Sequence, residues 1–361
     1  MEKYRVGIVG ATGMVGQRFI SLLKDHPWFE VNCVAASARS AGKTYREAVG
    51  ERWAFSWEIP EKVAGMTVVD AADINEVSKH VDFVFCAVDM KKDEIRALEE
   101  AYAKHEIPVV SNNSACRGIE DVPMVVPEIN ADHLAVIEAQ KKRLGTKNGF
   151  IAVKPNCSIQ SYVPALTPLL DFEPEKVSVC TYQAISGAGK TFKTWPEMVD
   201  NVIPYIGGEE EKSEREPLKP WGHVEDGKIV NATLPVISAQ CLRVACSDGH
   251  MAAVSVSFKK KPTIEQIKER WANYETEAQR LELPSAPKPF LQYFEDPSRP
   301  QTRLDRDFQN GFGVSIGRLR EDKLFDYRFV CLSHNTVRGA AGGGILTAEL
   351  LCRKGYIPHR V

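Results

Sequence analysis

The sequence predicts an α/β fold in two parts, a parallel sheet with helices on both faces followed by a mixed, largely antiparallel sheet. Three observations predict it. In the first half, short apolar strands alternate with helical patterns, the signature of a parallel sheet covered on both faces. After Cys157 the strand-like runs lengthen and adjoin one another. Between the first strand and the first helix lies a Gly-rich run.

Arg5 to Val9 is expected as a buried strand, and Met14 to Lys24 as the helix after the turn. Further strands are expected at Val31 to Ala36, Thr67 to Asp70, Val81 to Val88 and Pro108 to Ser111, with helices at Lys92 to Lys104 and Ala131 to Arg143. Phe150 to Val153 is an apolar run, and Ile159 to Leu170 a helix. The second sheet is assembled from Lys176 to Ile185, Leu242 to Ala245, Met251 to Lys259, Gly311 to Leu319 and Leu324 to Leu332. One amphipathic helix interrupts it, Thr263 to Arg280, with Thr263 as N-cap. Helices on one face leave the other face open, and an open sheet commonly pairs with a copy of itself. Gly207 to Pro220, charged and Pro-containing, is expected as a surface loop, and Pro284 to Pro300 as irregular chain. Gly339 to Cys352 starts with small residues and becomes an apolar helix.

Composition narrows the classes. The 361 residues suffice for two domains. A hydrophobic fraction of 43%, a charged fraction of 26% and a net charge of -2 suit a soluble globular protein and give no electrostatic argument for nucleic acid or membrane partners. No apolar run reaches the roughly eighteen residues of a membrane span. The opening M-E-K-Y-R-V-G-I-V-G enters a strand at once and leaves no room for a signal peptide. The nine cysteines are scattered, odd in number and without a C-x-x-C pair, which argues for a reducing cytoplasm and against a disulfide frame or a metal site.

The Gly-rich run is G-A-T-G-M-V-G, Gly10 to Gly16. Glycines permit the tight turn and let phosphate oxygens approach the backbone, and the helix N-terminus stabilises their charge. In this strand–turn–helix context, Gly10, Thr12, Gly13, Met14, Val15 and Gly16 are candidate dinucleotide contacts, and the first domain is Rossmann-type. An NAD site carries an acidic residue at the end of the second strand. Here that position continues as S-A-R-S-A-G-K, so Ser37, Arg39 and Ser40 are candidates for a 2′-phosphate, and NADP is the expected cofactor. The alternative for Arg39 is a solvated surface charge.

Catalytic candidates begin with K-P-N-C-S, Lys154 to Ser158. It places Cys157 at a strand-to-helix turn, where unpaired N–H groups favour the nucleophilic thiolate. The alternative is a buried structural cysteine. Downstream, R-V-A-C-S-D-G-H puts Arg243 and His250 at adjoining strand ends. His250 could take the thiol proton and later serve as acid and base, and Arg243 could hold a carboxylate as a bidentate fork. A core or turn histidine in an Asp-Gly hairpin is the competing reading.

With these residues in place, the chain resembles the aspartate-semialdehyde dehydrogenases over essentially its full length. The resemblance rests on G-A-T-G-M-V-G, S-N-N-S-A-C-R (Ser111 to Arg117), P-N-C-S, Y-Q-A-I-S-G-A-G (Tyr182 to Gly189), G-E-E-E-K (Gly208 to Lys212), Arg243 with His250, and N-T-V-R-G-A-A-G-G (Asn335 to Gly343). The R-S-A-G-K and H-N-T-V-R-G-A-A-G-G segments look like the archaeal and fungal branch.

The resemblance implies Cys157 as nucleophile, His250 as acid/base, and Gln183 orienting the substrate. It implies Arg243 on the substrate carboxylate, Glu209 on its amine (Glu210 being the other choice), and Arg117, Lys212 and Asn113 on the phosphate. Ser186, Gly187 and Asn335 would lie at the cofactor. It further implies an NADP-binding domain of residues 1–153 and 335–361, a catalytic and dimerisation domain of residues 154–334, and a homodimer or homotetramer. The implied reaction is NADPH-dependent reduction of L-β-aspartyl phosphate to L-aspartate 4-semialdehyde through a cysteine thioester. It would serve lysine (with diaminopimelate), threonine, methionine and isoleucine biosynthesis. The oxyanion donors are expected from the backbone N–H groups after Cys157. Competing readings are a malonyl-CoA reductase of the same fold, an N-acetyl-glutamyl-phosphate reductase, and a non-catalytic NADP-binding regulator. The phosphate residues and the acidic amine partner favour aspartyl phosphate over the first two. The presence of both Cys157 and His250 argues against the regulator.

Overall fold

A computed structural model describes residues 2–359. Met1, Arg360 and Val361, which end the expected domain ranges, lie outside the described residues. The first sheet comprises β1 (Tyr4–Val9), β2 (Phe29–Ala36), β3 (Val69–Asp70), β4 (Phe83–Cys86), β5 (Val109–Ser111) and β6 (Ile151–Val153). All its pairings are parallel, in the order β3-β2-β1-β4-β5-β6. That order switches direction at β1, where the Gly-rich turn leaves the sheet, and a doubly wound sheet binds ligands at its switch point.

Two apolar layers explain the parallel strands. On one face α1 (Met14–Leu23) contributes Phe19 and Ile20 to a cluster with Val6, Ile8 and Phe85. On the other, α2 (Lys92–Lys104) contributes Tyr102 and Ala103 beside Val84, Val109 and Ile151. α3 (Ile137–Leu144) follows a 3-10 stretch at Ala131–Val136. The chain returns at its end: α6 (Gly342–Arg353) seats Ile345, Leu346 and Leu350 in the same cluster as α1.

The second sheet has the order β13-β14-β15-β12-β7-β11-β8. Its strands are β7 (Pro174–Gln183), β8 (Val202–Ile203), β11 (Val236–Val244), β12 (His250–Phe258), β13 (Leu291–Phe294), β14 (Val314–Glu321) and β15 (Tyr327–Ser333). A small hairpin, β9 (His223–Glu225) with β10 (Lys228–Val230), stands apart. Most pairings are antiparallel, with β7–β11 and β13–β14 parallel. The short helices between Ser158 and Phe172, and α5 (Ile264–Ala272), cover one face through Tyr162, Leu166, Ile267 and Trp271. The other face carries Ser178, Cys180 and Tyr182 of β7, exposed or half-buried.

Five expectations are corrected here. Ile159 to Leu170 is not one helix: Pro164 and Pro168 each remove a backbone donor, and the segment is one α-turn flanked by 3-10 turns. Thr263 caps its helix as expected, but that helix ends at Ala272, and a second capping box at Thr276 and Gln279 restarts the chain. Asp248 and Gly249 do not turn a hairpin, because β7 lies between β11 and β12. The charged segment after Gly207 is not a surface loop: it holds α4 (Glu209–Arg215), with Glu209 and Ser213 buried. The edge strand β13 also lies inside the segment expected to be irregular.

Candidate active site

The site is built from strand ends where the two sheets meet. Cys157 follows β6 by four residues, Gln183 closes β7, Arg243 stands opposite Gln183 on β11, and His250 opens β12. Strand ends lock the backbone on one side and leave the side chain free on the other, which suits groups that must hold position at a cleft.

Cys157 Sγ lies 3.5 Å from His250 Nε2. His250 is fully buried, and its Nδ1 accepts the N–H of Ala184 at 3.1 Å. An accepting Nδ1 assigns the ring proton of the neutral form to Nε2, facing the sulfur. Burial, and then the Arg243 guanidinium, push the imidazole down to about 3. The resting ring is therefore a neutral donor toward the sulfur. To take the thiol proton at Nε2 it must first carry its own proton on Nδ1 and give up the Ala184 bond.

Arg243 donates from one nitrogen to the Ala184 carbonyl at 2.7 Å, which orients the guanidinium plane. A Cβ on Gly187 would come within 3.0 Å of both Arg243 and the His250 ring, so glycine keeps open the space where a carboxylate would meet the fork. Gly339 plays the same part behind the nucleophile, where a Cβ would stand 2.9 Å from that of Cys157.

Glu209 is the acidic group at the site. Its carboxylate accepts from Asn156 Nδ2 at 3.0 Å, Lys212 Nζ at 3.0 Å and Gln183 Nε2 at 3.4 Å. Burial raises its affinity for a proton, and Lys212, Asn156 and Gln183 more than reverse that, so it sits below the usual carboxylate range. Glu210 instead accepts the N–H of Cys241 on β11. Arg117 pairs with Glu216 at 2.9 Å and donates to the Asn112 carbonyl at 3.2 Å, while its Nε is buried without a partner. Arg117, Lys212 and Glu216 line a cavity of about 820 Å³.

Two expectations about the nucleophile change. The thiol of Cys157 is pushed up, not down: burial and the nearby Glu209 outweigh Lys154, Arg117 and Arg243. The expected helix N-terminus is only a 3-10 turn, so little dipole acts on the sulfur. The N–H of Ser158, an expected oxyanion donor, is taken by Asn156 Oδ1 at 2.7 Å. Asn113 also departs from expectation. Its amide reaches the buried Glu99 at 3.0 Å and Cys86 Sγ at 3.4 Å, not the Arg117 cavity.

The cofactor loop fits a dinucleotide. Gly10 has φ +91° and sits so close to the Ala87 carbonyl that a Cβ would lie 2.4 Å away. Gly13 caps α1 with no side chain, so the first-turn N–H groups at Met14, Val15 and Gly16 face an uncovered approach beside Thr12. Past β2, Ser37 and Arg39 are exposed, Ser40 is buried, and Arg39 has no ion pair among the described residues. Asn335 is held from both sides, accepting the Gly249 N–H at 2.8 Å and donating to Ser186 Oγ at 2.9 Å. That fixes Ser186 and Asn335 beside Cys157 and His250.

Sequence reasoning missed three residues. Asn156 stood inside P-N-C-S without a role, and it ties the nucleophile turn to Glu209. Glu216 was hidden in a charged run. Lys154 is fully buried, donates to the Pro155 carbonyl, and is pushed down to about 7 by burial and then Arg117.

Known protein families match both parts of the chain. Residues 5–137 match the semialdehyde dehydrogenase NAD-binding domain, and residues 166–338 the semialdehyde dehydrogenase dimerisation domain. The aspartate-semialdehyde dehydrogenase of Schizosaccharomyces pombe is 45% identical, covering 98% of this chain and 99% of its own. That of Archaeoglobus fulgidus is 42% identical, covering 98% and 100%. A crystal structure of the Candida albicans aspartate semialdehyde dehydrogenase with NADP is 39% identical, with a TM-score of 0.88 over 99% of this chain and 100% of that one. The chain belongs to the aspartate-semialdehyde dehydrogenase family.

Proposed function

We propose the following assignment of roles within an established activity. The chain is an NADP-dependent oxidoreductase of amino-acid biosynthesis that reduces L-β-aspartyl phosphate to L-aspartate 4-semialdehyde, and runs in reverse as a phosphorylating aldehyde dehydrogenase. One observation carries the roles: the Cys157–His250 pair at 3.5 Å has Arg243, Glu209 and Arg117 within electrostatic reach of the sulfur, with Lys212 on Glu209 at 3.0 Å. A substrate that carries a carboxylate, an amine and an acyl phosphate matches that set of charges.

Arg243 binds the α-carboxylate and Glu209 the amine. Arg117 and Lys212 hold the phosphoryl group. The Cys157 sulfur bonds to the acyl carbon, the C–O bond to phosphate breaks, and the thiol proton leaves on the phosphate. NADPH supplies the hydride when bound, held by Gly10 to Gly16 and by Ser37, Arg39 and Ser40. The Nε2–H of His250 donates to the oxyanion that then forms on the thioester carbon. Collapse of that oxyanion breaks the C–S bond, frees the aldehyde, and leaves a sulfur that regains a proton from solvent.

We propose residues 1–153 with 335–361 as the NADP-binding unit and 154–334 as the catalytic and dimerisation unit. The return of α6 to the first sheet supports this division. The open face of the second sheet supports a homodimer, as does the match of 166–338 to a dimerisation domain. Placement in the cytoplasm rests on the scattered free cysteines alone.

The test is NADP reduction with aspartate semialdehyde, with and without inorganic phosphate, beside NADPH oxidation with malonyl-CoA. Phosphate-dependent turnover with no malonyl-CoA activity is the expected result. Turnover with malonyl-CoA alone would overturn the reading.

A further inference from the structure

The segment after α4 does more than complete the phosphate cavity. Glu216 bridges two parts of the site that sequence separates widely. Its Oε1 pairs with Arg117 Nη1 at 2.9 Å, and its Oε2 accepts the N–H of Asn156, the residue before the nucleophile, at 2.6 Å. The ion pair is largely shielded, with side chains 10% and 12% exposed. Three residues on, Lys219 donates to the carbonyls of Arg117, Ile119 and Val122 at 2.7, 2.7 and 2.9 Å. Those bonds fix the backbone that carries Arg117. The carboxylate therefore faces an arginine whose backbone is held in place, on the wall of the 820 Å³ cavity.

We propose that Glu216 is the internal counter-anion of the phosphate clamp: it holds the Arg117 fork in the phosphate-free enzyme, and each incoming phosphoryl group or phosphate takes that fork from it. This inference rests on the proposed phosphate role of Arg117. A guanidinium offers a limited fork, and a carboxylate on it competes with phosphate for the same donors. The competition weakens phosphate binding and speeds its departure. The Asn156 bond gives the exchange a second consequence, because the nucleophile turn is braced by the same carboxylate. Glu216 is a positioning residue in this scheme and touches no reacting atom.

Glu216→Gln separates the two parts. Its amide oxygen can still accept the Asn156 N–H, but the charge is gone and its amide nitrogen cannot accept from Arg117. In the phosphate-requiring direction, with NADP and aspartate semialdehyde, the KM for inorganic phosphate is expected to fall about three- to tenfold, the range for losing one shielded ion-pair competitor. The KM for aspartate semialdehyde is expected to stay within about twofold, as for a site that does not touch it. A residue with only a structural role would raise the phosphate KM or leave it unchanged, and either result overturns the proposal. If Glu216→Gln does not accumulate folded, Glu216→Asp serves. It keeps the charge but is too short to make both bonds, and a smaller fall in phosphate KM is expected; no fall overturns the proposal. A wild-type enzyme showing no phosphate dependence at all would instead refute the function on which this rests.

Discussion

Nδ1 of His250 accepts the backbone N–H of Ala184 at 3.1 Å, and this bond sets the tautomer of the ring that faces Cys157. An imidazolium needs a proton on both nitrogens, and a proton on Nδ1 would point at another donor. Burial and the Arg243 charge act in the same direction. The thiol is pushed up as well. The resting pair is therefore neutral thiol and neutral ring, not thiolate and imidazolium. A neutral thiol is a weak nucleophile, so the sulfur in this state is poorly reactive at neutral pH.

The tautomer is directly observable. In enzyme labelled with 15N histidine, His250 should show one protonated nitrogen, Nε2, from pH 8 down to about pH 5, since a ring pushed down to about 3 does not charge in that window. A proton on Nδ1, or a transition to imidazolium near pH 6.5, contradicts the assignment.

The thiol gives a second pH signature. A group whose pKa is raised ionises only as pH climbs past the ordinary thiol value. The rate of iodoacetamide labelling of Cys157, followed by mass spectrometry, should rise steadily from pH 7 to above pH 9. An acid-side plateau of high reactivity, as in thiolate–imidazolium pairs, would sink this account. Once labelled at high pH, Cys157 should account for the lost activity. Cys157→Ser should fold normally and lose about 10⁴-fold or more in kcat, the scale for removing a nucleophile from a coupled site.

Arg243 tests substrate handling apart from chemistry. Its fork is oriented by the Ala184 carbonyl, and a lysine has one point charge to divide between that carbonyl and a carboxylate. Arg243→Lys should lower kcat/KM for aspartate semialdehyde about 10- to 100-fold, the worth of a charge-assisted hydrogen bond. The phosphate KM should change little. A larger effect on phosphate than on the aldehyde would move Arg243 to the other end of the substrate.

How much of this was legible in the sequence depends on what holds each part together. Lys92–Lys104 is found at its expected ends because one face buries Ile95, Glu99, Tyr102 and Ala103 at helical spacing. The cofactor turn is legible because backbone geometry demands glycine at Gly10. α4 was hidden for the opposite reason. Nothing apolar marks its buried face, and it is anchored by polar bonds: Glu209 to Asn156, the Ser213 hydroxyl near Ser158, and the Ser213 carbonyl accepting from the Tyr162 hydroxyl. Such anchors lie far apart in sequence and leave no periodic trace. The same holds for Glu216. The charge state of Cys157 was misjudged because burial, which depends on the whole fold, outweighs the local turn.

Arg39 is the proposed reader of the 2′-phosphate. It is exposed and without an ion pair among the described residues, beside Ser37 and Ser40 at the end of β2. Arg39→Ala should raise the KM for NADP about tenfold, as for one charge-assisted phosphate contact, and leave the KM for NAD nearly unchanged. Equal changes with both cofactors would return Arg39 to the role of a solvated surface charge.

The open face of the second sheet is the proposed dimer interface. β7 turns Val177, Val179 and Gln183 toward the helices and the site, and Ser178, Cys180 and Tyr182 outward. Tyr182 is 37% exposed and Val236 on β11 is 64% exposed. Large apolar side chains on an uncovered strand face are where a second copy would pack. In a two-fold dimer each substitution acts twice. A cost of about 2 kcal/mol per Tyr182→Asp would then raise the dimer Kd about a thousandfold. Sedimentation equilibrium should show a wild-type dimer at micromolar concentration and a largely monomeric Tyr182→Asp variant with intact secondary structure. Val236→Asp should act in the same direction. A wild-type monomer, or a dimer indifferent to both changes, would place the interface elsewhere. Activity adds a further reading, since Tyr182 precedes Gln183 and pairs with Met251 beside His250. Packing across that face would brace the strand ends that carry Gln183 and His250. Monomerisation should therefore lower kcat more than it raises either substrate KM.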